Sequence, residues 1–323
     1  MSDLAGIVSY ASFFLAFAGI FAVIVLGLNL QWGFTGLFNV GVAGFVAIGA
    51  YVSAILTTPD HPGQLGGFAL PVAVGWIGAA FASGVAGLVV GVATLRLRHD
   101  YLAIATFGIA IVIQLIALNA QWLTGGPFGL HFVPKPLEAS LGPGLPFNAG
   151  YLAMVAAIVA LLYAGLERLL RSPWGRVLRA IREDELAAES LGKRAFAFRL
   201  QAFAIGSAIM GLGGALYAHF IGYIAPEDFL PILTFQLWTM LVVGGAGNNR
   251  GAILGAVVVW AIWAISGGAL RAVMPPDAQA RGAALQVVLI GILLAAMLIL
   301  RPRGLLGEET AISRHAAAPP AKR

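Results

Sequence analysis

The chain has 323 residues, of which 60% are apolar and only 10% charged, against about 25% charged in ordinary soluble domains. Two water-soluble domains are excluded, because so much apolar surface cannot be hidden inside a globule; with 42 glycines as well, the composition belongs in a bilayer. The lack of any cysteine removes disulfides, thiolate metal sites and cysteine nucleophiles, while a net charge of +5 suits either nucleic acid or basic loops at a membrane until the charges are placed.

A bilayer core of about 30 Å needs roughly 20 apolar residues in a helix. Nine candidate spans follow in chain order: 7–30, 34–57, 68–95, 101–122, 149–170, 200–222, 232–247, 251–270 and 284–300. They predict an all-α, polytopic membrane bundle of about 8–10 helices. The spans at 232–247 and 284–300 are short, and 68–95 is long enough to tilt, kink or fold partly back. Asp3 is the sole charge before the first apolar run and no basic residue precedes it, which reads as a retained helix and not as a cleaved signal peptide.

With the N-terminus outside and the spans alternating, the cytosolic side receives Arg96, Arg98, Arg168, Arg171, Arg176, Arg179, Arg182, Lys193, Arg194, Arg199, Arg250, Arg301, Arg303, Arg314, Lys322 and Arg323. Only Lys135, Arg271 and Arg281 fall outside. Lys and Arg bias sets orientation, so the C-terminus is expected in the cytosol and the basic charge needs no nucleic acid to explain it.

Between spans, residues 123–148 hold five prolines and five glycines, which forbid a continuous helix and predict an external cap. Residues 172–192 are charged and helical in pattern. Ser172-Pro173 offers a helix start, and Trp174, Val177, Leu178, Ile181, Ala188 and Leu191 recur as one apolar stripe. Arg179, Arg182, Glu183, Asp184, Glu185 and Glu189 occupy the other face, Glu189 precedes Lys193 by four residues as in a helix ion pair, and Gly192 is a natural stop. Such a segment is either a solvated connector or a docking helix for a cytosolic partner. Residues 307–323 read as a disordered cytosolic tail, so the membrane domain is taken as 1–306.

Little in the chain suggests catalysis. The sole Gly-Lys pair, Gly192-Lys193, is followed by Arg194 and preceded at the required position by Ala187, so there is no P-loop for ATP. No zinc-protease or serine-hydrolase motif occurs, and no metal ligand set. The spans carry no charge at mid-membrane, unlike most ion-coupled carriers. Asn29, Asn39, Gln114, Asn119, Gln236 and His219 are the polar groups inside spans, and each can line a solute path or join helices; Asn29 and Asn39, set among glycines, are the better path candidates. Gly87 with Gly91, and Gly247, Gly251 and Gly255, keep the four-residue spacing that lets helices pack closely.

Several ordered segments carry a resemblance. Gly27 to Gly41, reading Gly-Leu-Asn-Leu-Gln-Trp-Gly-Phe-Thr-Gly-Leu-Phe-Asn-Val-Gly, and its continuation to Tyr51, look like a signature of branched-chain amino-acid ABC permeases. Leu95-Arg-Leu-Arg98, Leu123-Thr-Gly-Gly-Pro127, Trp174 to Glu185, Gly213 to His219, Gly244 to Gly251 and Arg301-Pro-Arg-Gly-Leu-Leu306 follow in family order. Glu185-Leu-Ala-Ala-Glu-Ser-Leu-Gly192 resembles the loop by which ABC importer permeases contact their ATPase, with Leu186 inserted between the acid and the alanines. The chain is similar to the LivM-type subunit more than to the LivH-type.

The resemblance implies a permease subunit of an ABC importer for leucine, isoleucine and valine in the bacterial inner membrane. It implies a LivH-like second permease, two ATPase subunits that use ATP and Mg, a periplasmic binding protein and surrounding lipid as partners, with no cofactor on this chain. It also implies that Arg179, Arg182, Glu183, Asp184, Glu185, Ala187, Ala188 and Gly192 couple to the ATPase. Another small polar solute such as urea or an amide, or an autonomous gradient-driven carrier, are the alternative readings.

Overall fold

The computed structural model describes residues 2–60, 65–97, 99–275 and 278–308. Among them, nine helices traverse the molecule in alternating directions: α1 (Ser2–Gln31), α2 (Val42–Thr57), α3 (Val72–Thr94), α4 (His99–Asn119), α7 (Leu145–Arg171), α10 (Ala195–Ile221), α11 (Pro231–Gly244), α12 (Asn249–Val273) and α13 (Gln279–Leu300). Each falls on one of the nine expected spans. Six of the nine are long and apolar enough to cross a bilayer on their own, while α2, α11 and the apolar part of α13 are shorter.

α1 is the central post. Every residue from Phe21 to Leu30 is buried, because α7, α10, α11 and α12 all pack on it. α10 then carries α2 and α3 on its far side, and α11, α12 and α13 form a second group. Close approach is made possible by glycine. A side chain at Gly49 would strike the backbone of Gly211, and one at Gly214 would strike that of Val46, so α2 and α10 touch backbone to backbone. The outer faces of α3 and α4 expose Ile77, Phe81, Val89, Ile104 and Ile116, as suits contact with lipid tails.

The expected span at 34–57 is corrected. Residues 32–35 form a turn and 36–41 are irregular, so helix resumes only at Val42. Gly36, with φ +72°, makes the turn that a side chain would strain. The 68–95 stretch is one helix and does not fold back.

Residues 120–144 form the cap, with short helices α5 (Gln121–Thr124) and α6 (Glu138–Leu141) and a strand β1 (Leu130–His131). β1 pairs antiparallel with β2 (Tyr223–Ile224), Leu130 opposite Ile224 and His131 opposite Tyr223, which ties the cap to the end of α10. His219 adds a strut. Its ring lies 2.8 Å from Ser53 Oγ through Nε2 and 2.6 Å from the Pro134 carbonyl oxygen through Nδ1. With Nδ1 donating and Nε2 accepting, all three groups are satisfied.

The ends of the helices sort the charge. Arg96, Arg168, Arg171, Arg176, Arg179, Arg182, Lys193, Arg194, Arg199, Arg250, Arg301 and Arg303 lie at one end, Lys135, Arg271 and Arg281 at the other. Arg98, Arg314, Lys322 and Arg323 lie outside the described residues, as does most of the expected tail. Gly307 and Glu308 are described and are packed: Asn248 Nδ2 donates to the Gly307 carbonyl at 3.2 Å, and Glu308 meets Arg182.

Candidate functional site

The charged segment at the arginine-rich end is two helices, not one: α8 (Pro173–Glu183) and α9 (Glu185–Ser190). Pro173 fixes the first turn of α8, and Gly175 lets that turn lie directly on the Leu170 backbone. Asp184 adopts an extended conformation and breaks the helix; its Oδ1 then accepts from Ala187 N–H at 3.0 Å, capping α9. α9 ends at Ser190, and Gly192, with φ +76°, turns the chain into α10. Lys193 therefore lies off the helix, and the expected Glu189–Lys193 helix pair has no geometric basis.

Burial confirms part of the stripe. Leu178, Ile181 and Ala188 are buried against Ala195 and the rest of the core. Leu191 is corrected: with Leu186 it is exposed, at 79% and 76%. The stripe reaches α9 at Ala188 but ends there, because α9 stops at Ser190 and Leu191 lies past its last helical residue.

The charged residues act mostly as tethers. Arg179 donates to the Leu170 carbonyl at 2.8 Å, and Glu185 pairs with Arg199 at 2.8 Å, holding α9 on α10. Arg182 donates to the Gly33 carbonyl and pairs with Glu183 at 2.7 Å and Glu308 at 2.9 Å. Burial opposes its charge, but the hydrogen bonds and charges of Glu183 and Glu308 overcome this and hold the guanidinium above its ordinary range. α8 is thereby bolted to the loop after α1 and to the C-terminal segment. Glu183 remains 71% exposed, facing solvent beside Asp184 and Ala187.

Beneath this segment a buried polar chain joins four elements. Gly247 N–H donates to Asn29 Oδ1 at 2.9 Å, Asn29 Nδ2 to Asn249 Oδ1 at 3.0 Å, and Asn249 Nδ2 to Glu167 Oε1 at 3.1 Å. A second set spans the break between α1 and α2. Asn39 Nδ2 donates to Gln31 Oε1 at 2.8 Å, Asn39 Oδ1 accepts from Gly41 N–H at 2.8 Å, and Gln31 Nε2 reaches the Phe203 carbonyl at 2.8 Å. Asn29 and Asn39 are fully buried with their amide groups engaged. Both amides join elements of the bundle, at about 0.6 kcal/mol for a typical interhelical bond. Asn119 is exposed and donates to its own helix at Leu115. Gln114 is half-buried and lines a crevice of about 10 Å³ with Thr234.

The sequence profile described as "Branched-chain amino acid transport system / permease component" matches residues 10–298. The chain belongs to this family. It is 35% identical to the high-affinity branched-chain amino acid transport system permease protein LivM of Escherichia coli, over 89% of this chain and 68% of that protein. It is 28% identical to a probable branched-chain amino acid transport permease LivM of Methanocaldococcus jannaschii, over 94% of each. It is also 26% identical to the high-affinity permease LivH of Salmonella typhimurium, over 76% of this chain and 81% of that one. No solved structure matches the chain.

In this permease the five packing glycines all meet elements of the same chain. Gly87 and Gly91 face α10, and Gly251 and Gly255 face Gly244 and Met240 of α11. Gly247 is corrected: it lies in the turn before α12 at φ +82°, not on a helix face. Two exposed leucines, Leu186 and Leu191, are the feature that sequence reading of the segment missed. The deeper omission is a cavity of about 280 Å³ between α1, α2, α10, α11 and α12, with Gln236, Trp260 and Asp228 in its lining. Burial raises the Asp228 carboxyl above its ordinary range, partly offset by hydrogen bonds from Ala225 N–H and Tyr217 Oη.

Proposed function

We propose that this permease is one membrane subunit of an ATP-driven importer of branched-chain amino acids in the bacterial inner membrane, with its arginine-rich end and C-terminus in the cytosol. The α8–α9 segment carries the reading. It is tethered to α1, α7, α10 and the C-terminal segment, and it presents Leu186, Leu191 and Glu183 outward. A connector between two spans gains nothing from being anchored at four places while exposing two large leucines. An ATPase docked there could move the ends of three helices at once.

In this account ATP and Mg are used by two partner ATPases, a LivH-like permease completes the membrane part, and a periplasmic protein delivers the amino acid at the capped end. This chain binds no nucleotide itself. Purification from native membranes in mild detergent tests the assembly. The expected result is recovery with a stoichiometric ATPase and a second, similar permease. Recovery of the chain alone, with and without prior cross-linking, would refute it.

A further inference from the structure

We infer that the cavity between α1, α2, α10, α11 and α12 is a binding site for one aliphatic α-amino acid, its ammonium against Asp228 and its carboxylate toward the Gln236 amide. The inference rests on the importer reading and assigns that reading a site inside this subunit. The cavity measures about 280 Å³, just under the roughly 300–1,000 Å³ of pockets for drug-sized ligands, which suits a single amino acid.

Three observations point to a ligand of this kind. First, Trp260 Nε1–H is buried and has no acceptor among the described residues, and the half-buried Gln236 amide has no hydrogen-bond partner there either. Gln236 lines the cavity, and an amide left open there is out of keeping with the neighbouring amides of Asn29, Gln31 and Asn39, all engaged. A buried donor without an acceptor is costly unless something else supplies one.

Second, Asp228 is held in place and still has capacity. Its Oδ2 accepts from Ala225 N–H at 2.8 Å and its Oδ1 from the Tyr217 hydroxyl at 3.2 Å. A carboxylate offers about four acceptor positions, so an ammonium can still be received. Third, the walls are mostly apolar. Trp260 stacks on Phe17 with centroids 5.2 Å apart and an interplanar angle of 19°, and it also packs against Phe21. An aliphatic side chain is desolvated there, and an aromatic wall also favours a nearby cation. The first turn of α11, at Ile232 and Leu233, borders the same space with the positive end of its helix dipole.

The chain has no cysteine, so Ile232→Cys gives one thiol in the cavity wall. Its reaction with a methanethiosulfonate reagent is followed on this chain in vesicles of the assembled complex. L-Leucine is expected to slow labelling roughly tenfold, and 4-methylpentanoate, which lacks the ammonium, to leave it unchanged. Adding Gln236→Leu or Asp228→Asn should abolish the protection; Gln236 makes no internal bond, so its loss tests the site without disturbing the fold. Vesicles that import leucine while leucine leaves the thiol unprotected would overturn the site and leave the importer reading standing. Equal protection by 4-methylpentanoate would overturn the role of Asp228. Vesicles that neither import leucine nor protect the thiol would refute both.

Discussion

At Gly255 a methyl group would fall on the carbonyl oxygen of Met240 and the backbone of Gly244, whereas at Gly108, in the middle of α4, it would meet nothing within 4 Å. The two positions are indistinguishable by residue type and hydropathy. Overpacking a close contact costs about 1–3 kcal/mol. Gly255→Ala should therefore lower the thermal unfolding temperature of the detergent-solubilised protein, while Gly108→Ala leaves it unchanged or raises it. Equal behaviour of the two variants would contradict the backbone contact between α11 and α12. Polar residues divide in the same way. Asn29 and Gln236 both read as uncharged polar groups in a span, yet one is spent on Gly247 and Asn249 and the other is open to a cavity. Partners more than 200 residues away decide that difference, so local pattern does not contain it.

On the scale of elements, the α8–α9 segment separates residues that hold it from residues that face outward. Arg182 and Glu185 are tethers, so charge reversal at either disturbs the anchoring as well as any contact with a partner. Leu186 and Leu191 touch little of this chain. Leu186→Ser and Leu191→Ser should leave membrane insertion and yield unchanged while lowering ATP-dependent uptake roughly tenfold, the equivalent of about 1.4 kcal/mol of lost docking energy. Wild-type uptake in both variants would sink the docking role. The helical character of 172–192 was legible from Ser172-Pro173 and the apolar recurrence through Leu178 and Ile181. The break was not: Asp184 serves equally well inside a charged face or as a cap, and only its extended backbone shows which. The same blindness affects 34–57, where Phe34, Leu37, Phe38 and Val40 are apolar enough for a span but the backbone stays out of helix through Gly41.

For the whole molecule, nine traverses and their orientation relative to one another could be read from apolar runs and from the placement of Lys and Arg. Both follow from transfer of side chains between water and lipid, a property each residue carries by itself. The cavity at Asp228 could not be read so, because its lining comes from five helices and the loop before α11. The molecule thus combines a rigid centre at α1, a cap pinned by His219 and the β1–β2 pair, and an anchored surface at the arginine-rich end. The proposed role is a passive path worked by a partner's ATP. The most direct test is uptake of labelled leucine by energised vesicles of the assembled importer, with ATP and the proton gradient controlled separately. The account predicts uptake that requires ATP hydrolysis and persists when a protonophore collapses the gradient. Uptake that stops with the gradient while ATP is maintained, or that proceeds through this chain alone without ATP, would contradict it.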